Sequence, residues 1–277
     1  MSPVIEFHGF SLEARGPVLS GGVRKGGKLA VVGALAEGKS RLLRAFAGLE
    51  RPARGRVVVN GEPVLAGLPS SWSRATPQTL AKRLAGPSGA GPAAEALTAC
   101  RLWDVRQGSI GSLRQERQAA CALLPCLLSR AGLMVIDGLL DRLDPWTRND
   151  VLGLIETKLG AGASLALSTN DLGLAESCDD LIVLRGDSIA YFGPLKALLA
   201  EFGPDILEVE TDNRPGVKAL VDPVVAEVEE CETGLRLKVR DGMETAVRLL
   251  LQGYGDVKIV AVRRPRLKDV LMERFGV

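Results

Sequence analysis

The chain has 277 residues, which suits one large domain or two unequal ones. Its hydrophobic share of 46% and charged share of 25% are ordinary globular values, so a sizeable core is available. The net charge of +2 argues neither for nor against nucleic acid, and no nucleic-acid partner is expected.

The cysteines and the apolar runs bear on metal sites and on the compartment. With a single histidine and no C-x-x-C pair among five cysteines, a zinc site is not expected. An odd number of cysteines without a secretory leader predicts reduced thiols in a cytosolic compartment. No apolar run approaches the roughly 20 residues that cross a bilayer, so work at a membrane would require docking on a partner.

Short alternating segments predict strands before residue 32. Residues 4–10 and 18–23 alternate in polarity and are separated by Gly16-Pro17, which predicts a small antiparallel β layer.

Residues 29–41, LAVVGALAEGKSR, carry the strongest motif of the sequence. The apolar run 29–32 predicts a buried strand, and the segment after the motif has the spacing of a helix, with Leu42, Leu43, Phe46 and Leu49. Between strand and helix, residues 33–40 fit the pattern G-x-x-x-x-G-K-[ST]. The pattern predicts a phosphate-binding loop; the alternative is a glycine-containing turn that binds nothing.

The residue types of the motif suit phosphate chemistry. Glycine lets successive N–H groups converge on phosphate oxygens, and the following helix adds the positive end of its dipole. Lys39 is expected to reach the β- and γ-phosphates, and the Ser40 hydroxyl to hold Mg²⁺. The predicted nucleotide contacts in this loop are Gly33, Ala34, Ala36, Glu37, Gly38, Lys39, Ser40 and Arg41.

The middle of the chain predicts a strand, a helical region and a second buried strand. Residues 56–60 predict a strand, and Asn60-Gly61 is typical of a hairpin turn into Pro63-Val64. Short helices are expected at 81–84 and 93–101, and a longer one over 112–128. The apolar run 133–136 closes with Asp137, which predicts a strand that presents a carboxylate beside the phosphate loop, where it would hold Mg²⁺.

The C-terminal part, residues 204–277, predicts a separate small α+β domain that is ferredoxin-like in its order of elements. Strands are expected at 206–209, 224–228, 235–239 and 257–262. Helices are expected at 216–221, 243–251 and 267–275. The first domain would then span residues 1–203.

The motifs of residues 1–203, taken in order, resemble the ATP-binding subunit of ABC transporters. Residues 33–40 match the Walker A loop, Gln78 the Q-loop glutamine, residues 110–114 the signature, Asp137 the Walker B acid and residues 141–145 the D-loop. Residues 164–169 match the next strand, and residues 180–192 the late strand–turn–strand. The resemblance implies an α/β fold: a RecA-like P-loop NTPase core with a small antiparallel β layer and a helical subdomain. It also implies ATP and Mg²⁺ as ligands, with Ser40, Gln78 and Asp137 on the metal.

Several positions depart from the family pattern. Gly138 stands where the family has its catalytic glutamate, and Asn170 stands at the switch-histidine position, so no catalytic residue is intact. The signature reads IGSLR, and the short interval from Gln78 to Ile110 predicts a shortened helical subdomain. The aromatic residue that stacks on adenine would fall near Ala14-Arg15; Phe10 or Arg15 is expected to substitute for it.

The resemblance predicts an ATP-binding subunit that holds Mg-ATP at a dimer interface with weak or absent hydrolysis. Its partners would be a second ABC ATP-binding subunit, in a homo- or heterodimer, and a transmembrane permease subunit. Residues 204–277 resemble the C-terminal extension of ATPases that serve ABC-2-type exporters, which implies a cytoplasmic protein, peripheral on the inner face of the cytoplasmic membrane. The alternatives are a regulatory or scaffolding subunit that does not drive transport and, less favoured, a phosphotransferase.

Overall fold

The computed structural model describes residues 3–14, 18–186, 188–201, 205–221, 225–239, 242–252, 257–263 and 266–276. Its contacts divide the chain into two compact units, Met1–Leu195 and Lys196–Gly276. The division falls at the first residue of a helix, before the predicted boundary. That predicted boundary, between residues 203 and 204, lies outside the described residues.

The first unit is an α/β structure. Its strands are β1 (Pro3–Ser11), β2 (Leu19–Arg24), β3 (Lys28–Val32), β4 (Arg54–Val59), β5 (Pro63–Leu65), β6 (Leu133–Asp137), β7 (Ser164–Ser168), β8 (Asp180–Arg185) and β9 (Ser188–Pro194). Its helices are α1 (Lys39–Phe46), α2 (Pro77–Ala85), α3 (Ala90–Ala99), α4 (Gln115–Leu128), α5 (Pro145–Gly160) and α6 (Leu172–Glu176).

The predicted antiparallel layer is confirmed. It is a three-stranded sheet in the order β2-β1-β4, and both neighbours of β1 run antiparallel to it. Its inner face packs around Phe7, whose ring centroid lies 5.6 Å from that of Phe46 of α1 and 5.2 Å from that of Phe192 of β9. The layer therefore shares its core with the elements that flank the phosphate loop.

The main sheet has six strands in the order β5-β6-β7-β3-β8-β9. All its pairings are parallel except that of β8 with β9. Strands β3, β6 and β7 are almost wholly buried, as is typical of parallel strands covered on both faces. Because β7 lies between β6 and β3, the carboxyl ends of these three strands meet at one edge of the sheet.

The predicted hairpin at Asn60-Gly61 is wrong. Strand β4 ends in the small sheet, whereas β5 pairs in parallel with β6 in the main sheet. The Asn60 side-chain amide donates to the Pro3 carbonyl and to the Glu6 carboxylate, both at 2.9 Å, which fixes the end of β4 against β1. The turn residues thus connect two sheets rather than two paired strands.

The helical region between β5 and β6 is short, and it consists of α2, α3 and α4. Helix α2 begins at Pro77 because the Thr76 hydroxyl caps it, accepting from the Thr79 N–H at 3.1 Å. Helix α3 ends at Ala99, before the predicted end, and Arg101 then adopts a left-handed φ of 53°. Helix α4 begins at Gln115, three residues after the predicted start, because residues Ile110–Ser112 form a separate 3-10 turn.

The second unit begins with α7 (Leu195–Glu201) and continues as β10 (Asp205–Glu210), α8 (Arg214–Val221), β11 (Val225–Cys231), β12 (Gly234–Val239), α9 (Gly242–Gln252), β13 (Ile259–Arg263) and α10 (Leu267–Val270), with a π-helical turn at Leu271–Phe275. Its sheet has the antiparallel order β11-β12-β10-β13. The chain order β-α-β-β-α-β with this strand order is the ferredoxin-like arrangement, as predicted. Its core is formed by residues such as Leu207, Val217, Leu237 and Leu249.

None of the helices in the described part of the chain combines the length and the apolar character that crossing a membrane requires.

Candidate functional site

The loop between β3 and α1 presents the open end of a helix. Gly38 precedes α1 in the left-handed region, with a φ of 84°, and no side chain caps the helix. The first N–H groups of a helix have no partner within it, so an uncapped N-terminus is ready to receive an anion. Ala36 is also left-handed, with a φ of 66°, a conformation that costs a residue with a Cβ about 1 kcal/mol or more.

Lys39, the first residue of α1, folds back across the loop. Its Nζ donates to the carbonyl oxygen of Gly33 at 2.5 Å and to that of Ala34 at 2.8 Å. Partial burial holds the pKa of Lys39 below its ordinary value, although the carboxylates of Glu37, Asp137 and Asp141 act in the opposite direction. The ammonium group is therefore fixed inside the loop, among carboxylates.

Glu37 braces the same loop. Its Oε2 accepts from the Ala34 N–H at 2.6 Å, and its Oε1 accepts from the Gly186 N–H in the turn between β8 and β9 at 3.1 Å. The N–H of Ala34, one of the predicted nucleotide contacts, is thus already engaged by a side chain. Glu37 therefore links the loop to the turn that follows the carboxyl end of β8.

Asp137 ends β6 beside β7, as the sequence predicts. Its Oδ1 accepts from the Ser168 hydroxyl at 2.6 Å. Within the described residues, neither Oδ2 of Asp137 nor the hydroxyl of Ser40 has a hydrogen-bond partner. A free carboxylate oxygen and a free hydroxyl are hard oxygen ligands, which suit Mg²⁺. The residues present therefore fit this ion.

The position after Asp137 carries no side chain. Gly138 has a φ of 61°, and a Cβ built on it would meet no atom within 4 Å. Its N–H donates to the Ser168 carbonyl at 3.3 Å, which continues the pairing of β6 with β7. Because residue 138 is glycine and not glutamate, there is open space at this edge of the sheet.

The segment after β7 is held by an acid from the turn after β6. Asp141 accepts from the Thr169 hydroxyl at 2.6 Å and from the Asn170 N–H at 2.8 Å. Asn170, at the switch-histidine position, is thereby fixed through its main chain. Its neighbour Asp171 accepts from Arg148 of α5 at 2.7 Å.

Gln78 lies in the first turn of α2. Its N–H donates to the Arg106 carbonyl at 3.0 Å. The signature stretch is joined to the same region, since the Ile110 N–H donates to the Ala75 carbonyl at 2.9 Å and the Ser109 hydroxyl to the Ser73 carbonyl at 2.8 Å. The described contacts of Gln78 are therefore within the helical region, and its role on Mg²⁺ stays a prediction.

The predicted adenine contact at Phe10 is wrong. Phe10 is fully buried, and its ring centroid lies 5.6 Å from that of Phe7 in the core of the first unit. A ring in that position has no face available for a base. The other candidate, Arg15, lies outside the described residues.

Three residues of the site were predicted only as parts of the D-loop and of the next strand, not as binding or metal residues: Asp141, Ser168 and Thr169. The available signal was chemical, because an acid follows Asp137 within one turn and two hydroxyl residues end the strand at 164–169. Their contact depends on the pairing of β6 with β7, which a sequence pattern does not encode.

Comparison with known proteins finds relatives over most of the chain. The hemin import ATP-binding protein HmuV of Streptomyces coelicolor is 30% identical over 236 residues, covering 74% of this chain and 84% of that protein. The nickel import ATP-binding protein NikO of Rhodobacter capsulatus is 27% identical over 72% of this chain and 92% of its own length. The Nod factor export ATP-binding protein I of Ralstonia nicotianae is 25% identical over 93% of this chain and 88% of its own length.

Solved structures share the fold over about seven-tenths of the chain. An ATP-binding subunit of an ABC transporter matches with a TM-score of 0.63 and 21% identity, over 72% of this chain and 93% of that one. A dimeric ATP-binding cassette in a post-hydrolysis state, bound to ADP and Pi, matches with a TM-score of 0.60 and 15% identity, over 69% and 98%. No family model matches the sequence.

The ordered motifs, the open phosphate loop at the edge of a mixed sheet and the relatives at this coverage lead to the same family. The chain belongs to the ATP-binding subunits of ABC transporters.

Proposed function

We propose that this chain is the ATP-binding subunit of an ABC-2-type export system, and that it holds Mg-ATP at a dimer interface with weak or absent hydrolysis. The Nod factor export proteins support the export assignment, because the relative from Ralstonia nicotianae aligns over 93% of the chain and so includes the second unit. The methionine import protein MetN of Mesorhizobium japonicum also aligns over 90% of the chain. Alignment with the second unit is therefore compatible with import too, and export rests on the Nod factor relatives.

Binding of the triphosphate would use the open end of α1. The N–H groups of the first turn face the phosphates, and Lys39 supplies a positive charge that is already oriented by the Gly33 and Ala34 carbonyls. Ser40 and Asp137 would hold Mg²⁺, with Gln78 as a third ligand. The metal, when bound, neutralises charge on the phosphate oxygens.

The single observation that supports weak hydrolysis is the glycine at residue 138, Gly138. The residue after the metal-binding aspartate has no side chain to orient or deprotonate a water, and general-base catalysis contributes about 10²–10⁴-fold to such reactions. Asn170, at the second catalytic position, has no group that titrates near neutral pH. We therefore expect bound ATP to persist far longer than in a fully equipped subunit.

Equilibrium binding of Mg-ATP to the wild type and to Lys39→Ala tests the proposal. Loss of a charge-assisted contact with phosphate is worth about 1.5–3 kcal/mol, so Lys39→Ala should weaken binding by about tenfold or more. Lys28→Ala is the matched control, because Lys28 starts β3 at the opposite end of the strand and pairs with Glu156 at 3.0 Å. Equal affinity of the wild type and Lys39→Ala would contradict the proposal, as would rapid turnover that depends on Lys39.

The assembly would include a second ABC ATP-binding subunit, in a homo- or heterodimer, and a transmembrane permease subunit. The chain would then lie on the inner face of the cytoplasmic membrane. The relative solved as a dimer supports the pairing of two such subunits.

A regulatory or scaffolding subunit that does not drive transport is the second candidate. The observation that favours it is the simultaneous replacement of both catalytic groups, at Gly138 and Asn170. Assembly of the complex that is equal for the wild type and Lys39→Ala, with and without ATP, would support this candidate over the first.

A further inference from the structure

Asp141 lies where the carboxyl ends of three strands meet. It belongs to the 3-10 turn Leu140–Arg142 that follows β6, and its carboxylate is held by Thr169 and Asn170, the residues that follow β7. Strand β7 lies between β6, which carries Asp137, and β3, which leads into the phosphate loop. The Asp141 carboxylate is therefore anchored between the loop and the metal-binding aspartate.

The charge of Asp141 acts on the loop itself. Its carboxylate is one of those that raise the pKa of Lys39, against the larger lowering effect of burial. This effect agrees with the topology, which places Asp141 at the same edge of the main sheet as the loop.

The carboxylate is oriented and still has capacity for a water. One oxygen accepts from the Thr169 hydroxyl and the other from the Asn170 N–H. Each carboxylate oxygen has two acceptor sites, so each keeps one for a further donor. Nearby, Gly138 leaves open space where a longer acid would otherwise stand.

We propose that Asp141 is the general base of this chain's residual ATP hydrolysis, in place of the side chain that Gly138 lacks. The inference rests on the proposed function, namely that the loop binds ATP. A water accepted by Asp141 attacks the terminal phosphorus, and the bond from that phosphorus to the ADP oxygen breaks. The proton of the water passes to the Asp141 carboxylate, and the products are ADP and phosphate.

Hydrolysis of γ-labelled ATP with Mg²⁺ under single-turnover conditions tests this role, with Kd for Mg-ATP measured alongside. Asp141→Asn keeps an oxygen for Thr169 but has no carboxylate to accept a proton, so the rate should fall by about a hundredfold while Kd stays within about twofold. Thr169→Val is the matched control, since it removes one hydrogen bond to the same carboxylate and leaves the charge in place. It should lower the rate by about tenfold at most.

The outcomes separate this inference from the proposed function. If the wild type binds ATP but Asp141→Asn hydrolyses it equally fast, Asp141 only anchors the chain after β7 and the inference is overturned. The same conclusion follows if Asp141→Asn and Thr169→Val lose rate and thermal stability in parallel, or if wild-type turnover does not exceed that of Lys39→Ala. Failure of the wild type to bind Mg-ATP overturns the proposed function instead.

A second pair of variants tests the role of Asp141 even if Asp141→Asn alone disturbs the fold. Gly138→Glu introduces a carboxylate into the open space, and it should raise the rate above that of the wild type. In that background, Asp141→Asn should change the rate by only about threefold, since two groups that serve one step are not additive. An undiminished effect of Asp141→Asn in that background would contradict the shared role.

Discussion

Left-handed backbone at individual residues shapes the site. Gly138 occupies this region freely, whereas Ala36 occupies it with a Cβ. The loop therefore carries strain at Ala36, and the position after Asp137 is adapted to glycine rather than to the acid that the family pattern has there. Reintroducing a side chain at residue 138 has a conformational cost in addition to any chemical gain.

Gly138→Ala measures that cost directly. Because a Cβ there would meet no atom within 4 Å, only the left-handed φ of 61° opposes the substitution, and the free energy of unfolding should fall by about 1 kcal/mol. Gly153→Ala, within α5 and also without neighbours, should raise it by up to about 1 kcal/mol. Urea denaturation of both variants checks the pair, and a neutral or stabilising Gly138→Ala would refute the left-handed assignment.

The cysteine thiols form a second residue-scale test. Burial raises the pKa of Cys100, Cys121, Cys126 and Cys178 to about 12, whereas Cys231 is only partly buried. Since the thiolate is the reactive form, the four buried thiols should resist a disulfide reagent at pH 8 in the native protein. Cys231 should react first, and all five should react in denaturant.

Cys231→Ser is the control for that experiment. It should remove the fast phase and leave the slow one unchanged. Rapid reaction of two or more thiols in the native protein would show that the core of the first unit is more open than the structure has it.

At the scale of elements, Asp144 caps the longest helix of the first unit. Its Oδ1 accepts from the N–H groups of Trp146 and Thr147 at 3.1 and 3.0 Å at the start of α5. A hydrogen bond from the Thr147 side chain is the leading cause that lowers the pKa of Asp144, followed by the one from the Thr147 N–H, and nearby Arg101 contributes least. A depressed pKa in the folded state means that the contribution of the charge to capping is present above the unfolded pKa, about 3.9, and is lost as the pH falls through the folded value.

Asp144→Ala should therefore cost about 1 kcal/mol at pH 7, and the difference from the wild type should shrink below about pH 4. Asp144→Asn keeps a capping oxygen without a charge that titrates, so its stability relative to Asp144→Ala should not depend on pH. Unfolding curves at several pH values check both expectations. A deficit of Asp144→Ala that persists unchanged at pH 2 would contradict the role of the charge.

Elements with a strong local pattern were predictable, and their assembly was less so. The strand and helix around the phosphate loop and the strand that ends at Asp137 follow from apolar runs and glycine, which are local. The Asn60-Gly61 signal is equally local, yet the strands on either side join different sheets because each finds a distant partner. Burial of Phe10 likewise depends on Phe7 and on the packing of a whole layer.

The candidate site likewise combines residues that a local motif identifies with contacts that depend on distant parts of the chain. Lys39, Ser40 and Asp137 lie in motifs that the sequence displays, and the structure brings Lys39 and Asp137 to one edge of the main sheet. Asp141 follows Asp137 within one turn, but its partners Thr169 and Asn170 come after β7, more than one element away along the chain. Parallel pairing between distant strands brings these partners to Asp141, and such pairing leaves no short-range pattern.

In the whole molecule, the nucleotide loop belongs to one of the two units. The first holds the nucleotide loop, and the second is a ferredoxin-like unit with its own core. A ligand stabilises the folded state that binds it, so Mg-ATP should raise the unfolding temperature of the first unit. At 100 times the Kd the gain is about 2.7 kcal/mol.

The molar mass of the protein in solution, with and without Mg-ATP, for the wild type and Lys39→Ala shows whether the loop binds ATP and pairs two subunits. If two subunits hold ATP between them and hydrolyse it slowly, wild-type dimers should form with Mg-ATP and persist for as long as ATP is present. Lys39→Ala should remain in its ATP-free state, and Lys28→Ala should behave as the wild type. Identical profiles for the wild type and Lys39→Ala under both conditions would contradict ATP-dependent pairing of two copies of this chain, and wild-type dimers that are lost within minutes because the protein hydrolyses the ATP would contradict weak hydrolysis.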